Sequence, residues 1–208
     1  MSPRSTAWLA VLVLAAGNLT AAPPGGSTST GFFGIEARGR KFVYVLDRSA
    51  SMAVEGGVPL DTAKRELVRS LDSLGGSQQF HLVFYNQRVT VFAPGSHRGR
   101  PIFADDETKA AARRFIEGIR ADGGTRHHEA LATALRLRPD VVFLLTDADA
   151  GDDLAADEAA RLARDLGSTT LHVVQFATGE EVRSPRLERL ALGSGGRYER
   201  IDPATVGR

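Results

Sequence analysis

From Lys41 onward the chain alternates short apolar runs with amphipathic segments. Residues 42–46 (FVYVL) are apolar without a break, the pattern of a parallel strand covered on both faces. Leu60, Ala63, Leu67, Leu71 and Leu74 then fall at helical spacing until Gly75-Gly76 stops the run. Residues 80–85 and 88–92 read as two strands a few residues apart, close enough to pair as a hairpin. Asp105 or Asp106 can cap a helix carrying Ala112, Phe115, Ile116 and Ile119 on one side. A further helix spans 126–137, and a second wholly apolar strand, 141–145, again runs up to an aspartate. Helix 154–166, strand 171–176, helix 185–192 and edge strand 197–201 complete the alternation. This order predicts a doubly wound α/β domain: a mostly parallel sheet with helices on both faces and one antiparallel edge strand.

The first forty residues differ in character. Arg4 precedes a ten-residue apolar run, 7–16 (AWLAVLVLAA), and small residues follow, so 1–22 reads as an export signal. Cleavage is expected after Ala15-Ala16-Gly17 or Thr20-Ala21-Ala22; the alternative is an uncleaved N-terminal anchor. The run falls short of the roughly 20 residues that span a bilayer, and no other transmembrane span is expected. Residues 23–38 begin Pro/Gly/Ser-rich and read as a linker that holds the domain off the export site. An exported protein in the periplasm, the cell envelope or the medium is therefore expected.

Composition mainly excludes. A net charge of +1 gives no general attraction to nucleic acid or anionic membranes, and Arg98-Gly99-Arg100 and Arg113-Arg114 are too short to be nucleic-acid patches. The chain has no cysteine, so disulfides, thiolate nucleophiles and thiolate metal sites are ruled out.

The candidate chemistry lies where the strands end, because open α/β sheets bind ligands outside the carboxyl ends of their strands. Asp47 and Asp147 each follow an apolar strand, so the two carboxylates should converge. Close carboxylates raise each other's pKa unless a cation sits between them. Asp47, Ser49 and Ser51 alternate along the chain, which in an extended loop points all three side chains one way. Gly123-Gly124 permit a tight turn that brings the hydroxyl of Thr125 nearby. Carboxylate and hydroxyl oxygens suit Mg²⁺, Mn²⁺ or Ca²⁺ and suit Zn²⁺ poorly.

In these residues, Asp47-Arg48-Ser49-Ala50-Ser51, Thr125 after two glycines, and Asp147 in Leu144-Leu145-Thr146-Asp147, the sequence resembles the metal-ion-dependent adhesion site of von Willebrand factor A-type domains. The resemblance runs from about residue 39 to residue 204 and implies that family's Rossmann-like fold. It implies that Asp47, Ser49, Ser51, Thr125 and Asp147 surround one divalent cation, some through water, and that a partner protein's Glu or Asp completes the shell. That is docking rather than catalysis, so no enzyme is expected. The family usually has glycine where Ala50 and Ala148 stand. Only Asp202 to Arg208 follow the last strand, so the sliding C-terminal helix of integrin-type domains is not expected.

Other readings compete. A metal-dependent hydrolase also places an aspartate after its first strand, but such enzymes need a second carboxylate two residues on, where this chain has Ser49. A metal-free scaffold subunit is the third possibility. Asp149, Asp152 and Asp153 read as a helix-start acidic cluster rather than a calcium loop, since the glycine falls one position early. Adjacent His127 and His128 point about 100° apart on a helix, which suits a solvated first turn better than chelation. Arg48, Met52, Arg126 and His127 flank the ligands in sequence and are candidate rim residues.

Overall fold

The computed structural model describes residues 28–95, 102–147, 150–177 and 183–206. The expected leader, residues 23–27, the Arg98-Gly99-Arg100 stretch, Ala148 and Asp149 lie outside them. The strands are β1 Thr28–Phe32, β2 Ile35–Gly39, β3 Lys41–Asp47, β4 Gln79–Tyr85, β5 Val89–Val91, β6 Val141–Thr146, β7 Thr170–Phe176 and β8 Tyr198–Ile201. The helices are α1 Val54–Ser73, α2 Asp106–Gly118, α3 His127–Arg136, α4 Ala156–Leu166 and α5 Pro185–Gly193.

The central sheet has the order β5-β4-β3-β6-β7-β8. All its neighbours pair parallel except β5, which runs antiparallel on the edge beside β4. Alternation along each strand divides the interior in two. On β3, Phe42, Tyr44 and Leu46 face α1 and α2, where they meet Leu60, Ala63, Leu67 and Ile116. Val43 and Val45 face the opposite side, toward Leu131 of α3, Leu162 of α4 and Leu187 of α5. The same division holds in β6, with Phe143 on the first face and Val142 and Leu144 on the second. Both faces being covered is the reason these strands carry no polar alternation. Asp105 caps α2 by accepting from the Thr108 amide at 2.7 Å.

The amino-terminal boundary differs from the linker expected over 23–38. β1 and β2 form an antiparallel hairpin in register Phe32↔Ile35, turning at Phe33 and Gly34 with φ of 49° and 75°. Two consecutive positive φ values suit the tight turn of a two-residue hairpin. Phe32 and Ile35 are fully buried. The Phe32 ring packs 5.3 Å from Phe143 and 5.6 Å from Tyr44, and Phe33 lies 5.3 Å from Phe176. Polar groups fasten the hairpin to α1: the Phe33 amide donates to Glu66 Oε1 at 2.8 Å, and the Thr30 and Ser70 hydroxyls are 3.0 Å apart. Ser70 also meets the Tyr44 hydroxyl at 2.7 Å, and burial pushes that phenol up to about 12. The hairpin therefore acts as a lid over the aromatic face of β3, β6 and β7, a role that the surrounding Ser, Thr and Gly residues disguise.

Phe32→Ala should lower stability by about 3–5 kcal/mol, the usual cost of emptying a large buried aromatic site. Thermal denaturation checks it; a melting temperature equal to the parent's would show that this stretch behaves as a linker.

Candidate metal centre

The chain runs from β3 outward to β4 and β5, then returns across β3 to β6, so β3 and β6 flank the switch point of the sheet. Asp47 is the last residue of β3, and Asp147 follows the last residue of β6 directly. Parallel pairing of Leu46 with Leu145 brings their carboxylates to the same rim. Asp47 is fully buried and doubly held: the Ser49 amide donates to Oδ1 at 2.8 Å, and the Thr146 hydroxyl donates to Oδ2 at 2.8 Å. Asp147 is only partly buried, yet its Oδ1 is enclosed and has no hydrogen-bond partner among the described residues.

The serines reach the site by a backbone route other than a continuous extended loop. Ser49 is extended, with φ −61° and ψ 167°, but Ala50–Ala53 forms a 3₁₀ turn. The Ser49 and Ser51 hydroxyl oxygens still lie 3.0 Å apart. Thr125 arrives on the loop between α2 and α3. Gly123 of that loop adopts φ 72°, a conformation that calls for glycine, and Gln87 Oε1 lies 2.6 Å from where a β-carbon there would stand. The loop is laced to the β3 end: the Ala50 amide donates to the Gly123 carbonyl at 2.8 Å, the Asp122 amide to the Arg48 carbonyl at 2.9 Å, and Arg48 forms an ion pair with Asp122.

Burial pushes the Asp47 carboxyl up to about 6; the Ser49 hydroxyl and amide oppose the shift and the Asp147 charge adds to it. Burial likewise raises Asp147, against the pull of the Ser51 hydroxyl. Among the described residues no lysine or arginine pairs with either carboxylate. Nor does any group of three or more His, Cys, Asp or Glu there have the arrangement to hold a metal ion. A cation at this rim would rest on two carboxylates and neutral hydroxyls. That donor set fits a hard divalent ion, and the unpartnered Asp147 oxygen is a free lone pair for it.

Two of the four candidate rim residues are interior. Met52 is fully buried beneath the 3₁₀ turn. His127 is 2% exposed, with Nδ1 2.8 Å from the Tyr85 hydroxyl, so the first turn of α3 is not solvated on that side. Burial brings its imidazole down to about 4, partly offset by the charges of Asp153 and Glu158. Arg126 is exposed, and Arg48 is mostly covered by its pairing with Asp122. Asp153 serves as a structural acceptor for the amides of Arg186 and Leu187 at the start of α5. Sequence reading missed Tyr85, Asn86 and Gln87, which grip the Thr125 loop; an Asn-Gln pair between two strands reads simply as a turn. A cavity of about 440 Å³ between α4 and α5, lined by Ala159, Ala163 and Leu190, touches none of the five candidate ligands.

A doubly wound sheet with two aspartates and the Ser49 and Ser51 hydroxyls at its switch-point rim has a Rossmann-like architecture. The chain belongs to the von Willebrand factor type A domain family, whose model matches residues 41–200. Inter-alpha-trypsin inhibitor heavy chain H4 of Homo sapiens is 28% identical over 185 residues, covering 81% of this chain and 19% of that protein. The chain thus spans about a fifth of the length of the curated relatives it matches. A solved von Willebrand factor type A structure from Catenulispora acidiphila aligns with a TM-score of 0.69 and 25% identity, covering 82% of this chain and 41% of that one. Proximal thread matrix protein 1 from the mussel byssus, solved with a zinc-occupied MIDAS motif, shares the fold at a TM-score of 0.59 and 19% identity, over 80% of this chain and 42% of that one. Among the described residues no helix is long and apolar enough to cross a membrane.

With no cation bound, the raised pKa of Asp47 means that the folded state keeps this proton to higher pH than the unfolded chain does. Its contribution to stability therefore falls as pH rises from about 4 to about 6, ending roughly 3 kcal/mol lower. Asp47→Asn, a neutral isostere, removes that loss. In chelator the variant should melt above the parent at pH 7, and the difference should shrink toward zero near pH 4. A variant that melts below the parent at pH 7 would contradict a buried, uncompensated charge at Asp47.

Proposed function

We propose that this chain is an exported protein-binding module that docks an acidic side chain of a partner protein through a divalent cation, and that it is not an enzyme. The observation that carries this reading is the pair of carboxylates at one rim, both raised by burial and Asp47 also by the charge of Asp147, unpaired with any described basic residue and bordered by the Ser49 and Ser51 hydroxyls. Asp47, Ser49, Ser51, Thr125 and Asp147 would hold the ion, with Mg²⁺ preferred and Mn²⁺ or Ca²⁺ as alternatives. The bound ion supplies a Lewis-acidic position for a carboxylate.

The chain's own residues do the rest. Thr146 and the Ser49 amide aim the Asp47 oxygens, and the Arg48–Asp122 pair fixes the neighbouring loop. Two carboxylates neutralise a dication, while the hydroxyls add no charge, which leaves the ion electrophilic toward an incoming Glu or Asp. Hydrolysis lacks support at this rim, because Ser49 stands where a second carboxylate would be needed and His127 is enclosed behind the loop. The leader and the residues before the hairpin support export to the periplasm, cell envelope or medium, with the domain carried on the start of β1.

Asp47→Ala should abolish binding of Mg²⁺ and Mn²⁺ in calorimetry by removing half of the formal ligand charge; unchanged binding would sink the ligand assignment. Zn²⁺ belongs in the same titration, because the mussel protein of this fold holds zinc at its own motif. Capture of a partner should require the cation and weaken strongly when the partner's key acid becomes an amide; capture that survives EDTA would place recognition on another face. For export, mass spectrometry of the full-length product should find the protein outside the cytoplasm, with a new N-terminus near Gly17 or Pro23 or an intact membrane-held leader. An intact N-terminus on cytoplasmic protein would remove the export reading.

A further inference from the structure

Three consecutive residues at the end of β4 and just beyond it, Tyr85, Asn86 and Gln87, each hold the loop that carries Thr125. The Tyr85 hydroxyl meets His127 Nδ1 at 2.8 Å, two residues after Thr125. The Asn86 side-chain amide donates to both the carbonyl and the carboxylate of Asp122, at 2.7 Å each, three residues before it. The Asn86 carbonyl accepts from the Arg126 amide at 3.2 Å, and Gln87 Oε1 accepts from the Gly124 amide at 2.6 Å. Thr125 is thus fastened on both sides, at 122, 124, 126 and 127, by one tripeptide. The tripeptide is itself anchored beside the first aspartate, because Tyr85 pairs with Asp47 in register and its carbonyl accepts from the Arg48 amide at 2.7 Å. Tyr85 and His127 are buried, so their bond is shielded from water, whereas Gln87 is exposed and belongs to no core. A turn that served only to join β4 to β5 would have no need of an exposed glutamine directed at the glycine amide beside Thr125. Gln87 Oε1 also lies 2.6 Å from where a β-carbon on residue 123 would stand.

We infer that Tyr85, Asn86 and Gln87 are positioning residues that set the Thr125 hydroxyl relative to Asp47, so that the β4 end, which supplies no ligand, tunes the affinity of the cation site. This rests on the metal-site reading above. Each residue acts through the loop backbone: removing a tether lets Gly124 and Thr125 sample other positions, and the hydroxyl loses its fixed distance from the ion. The effect should therefore appear as weaker binding at temperatures where the fold is intact, and it should require Thr125.

A double-mutant cycle tests this, with Mn²⁺ alone as the probe and the signal of free Mn²⁺ in electron paramagnetic resonance as the readout. Gln87→Met keeps the length of the side chain and deletes the acceptor; Gln87→Glu keeps an oxygen for the Gly124 amide. Thr125→Ala and Gln87→Met should each weaken Mn²⁺ binding several-fold. Their combination should be no weaker than Thr125→Ala alone, since residues acting through one contact are not additive. Gln87→Glu should bind at least as tightly as the parent. Asn86→Ala, which removes both bonds to Asp122, is carried through the same cycle, with melting temperatures recorded throughout. Multiplicative losses, or a lowered melting temperature with parental affinity, would overturn the positioning role and leave the cation site standing. A parent that binds no Mn²⁺ would overturn the metal reading and this inference together, which keeps the two failures apart.

Discussion

Two carboxylates are held where the sheet forces them together, and most of the other features of the rim accommodate that fact. β3 and β6 are adjacent because the chain leaves β3 for one edge and then crosses back, and their parallel pairing ends both strands at the same height. Asp47 cannot retreat into solvent, because Tyr44, Leu46 and Phe143 fix the strand on one face while Val45 and Leu144 fix it on the other. Its charge is opposed by burial and by Asp147, and softened by a hydroxyl and an amide rather than by a basic side chain. A buried charge left in that condition is expensive. On the proposed reading, a cation from outside would offset that cost.

The remaining groups of the proposed site would govern how a cation is used. In the proposed site, hydroxyls on Ser49, Ser51 and Thr125 would add oxygen donors without adding charge, which would keep a bound dication attractive to a further carboxylate. Their placement depends on packing some distance away. Met52 fills the interior under the 3₁₀ turn that carries Ser51, and the Tyr85–His127 contact sits under the start of α3. The upward shift in the pKa of Asp47 originates chiefly in its burial at the end of the sheet.

Much of the fold was legible because both faces of the sheet are covered. Uninterrupted runs such as 42–46 and 141–145, separated by segments of helical period, leave little choice but a doubly wound sheet. The convergence of Asp47 and Asp147 followed from the same pattern. What escaped was structure whose signal is tertiary. Phe32 and Ile35 stand among Ser, Thr and Gly residues, and a hairpin that caps a sheet from outside carries no long period to betray it. Met52 and His127 flank candidate ligands in sequence, which suggests the rim, but the turns that carry those candidates point the neighbouring side chains inward. The grip of Tyr85, Asn86 and Gln87 on the Thr125 loop spans about forty residues of chain, and no local spacing encodes it.

Reception of a cation by the raised carboxylates, as proposed, is measured directly by proton release. A carboxyl with a pKa of about 6 is mostly protonated at pH 5.5, and a metal must displace that proton to bind. Calorimetric titration of Mn²⁺ into the full chain at pH 5.5, repeated in buffers of different ionisation enthalpy, gives the number of protons released per ion. Release of roughly one proton per ion bound, vanishing at pH 8 and absent in Asp47→Asn, is the expected result. Binding with no proton release at either pH, or release that persists in Asp47→Asn, would contradict it.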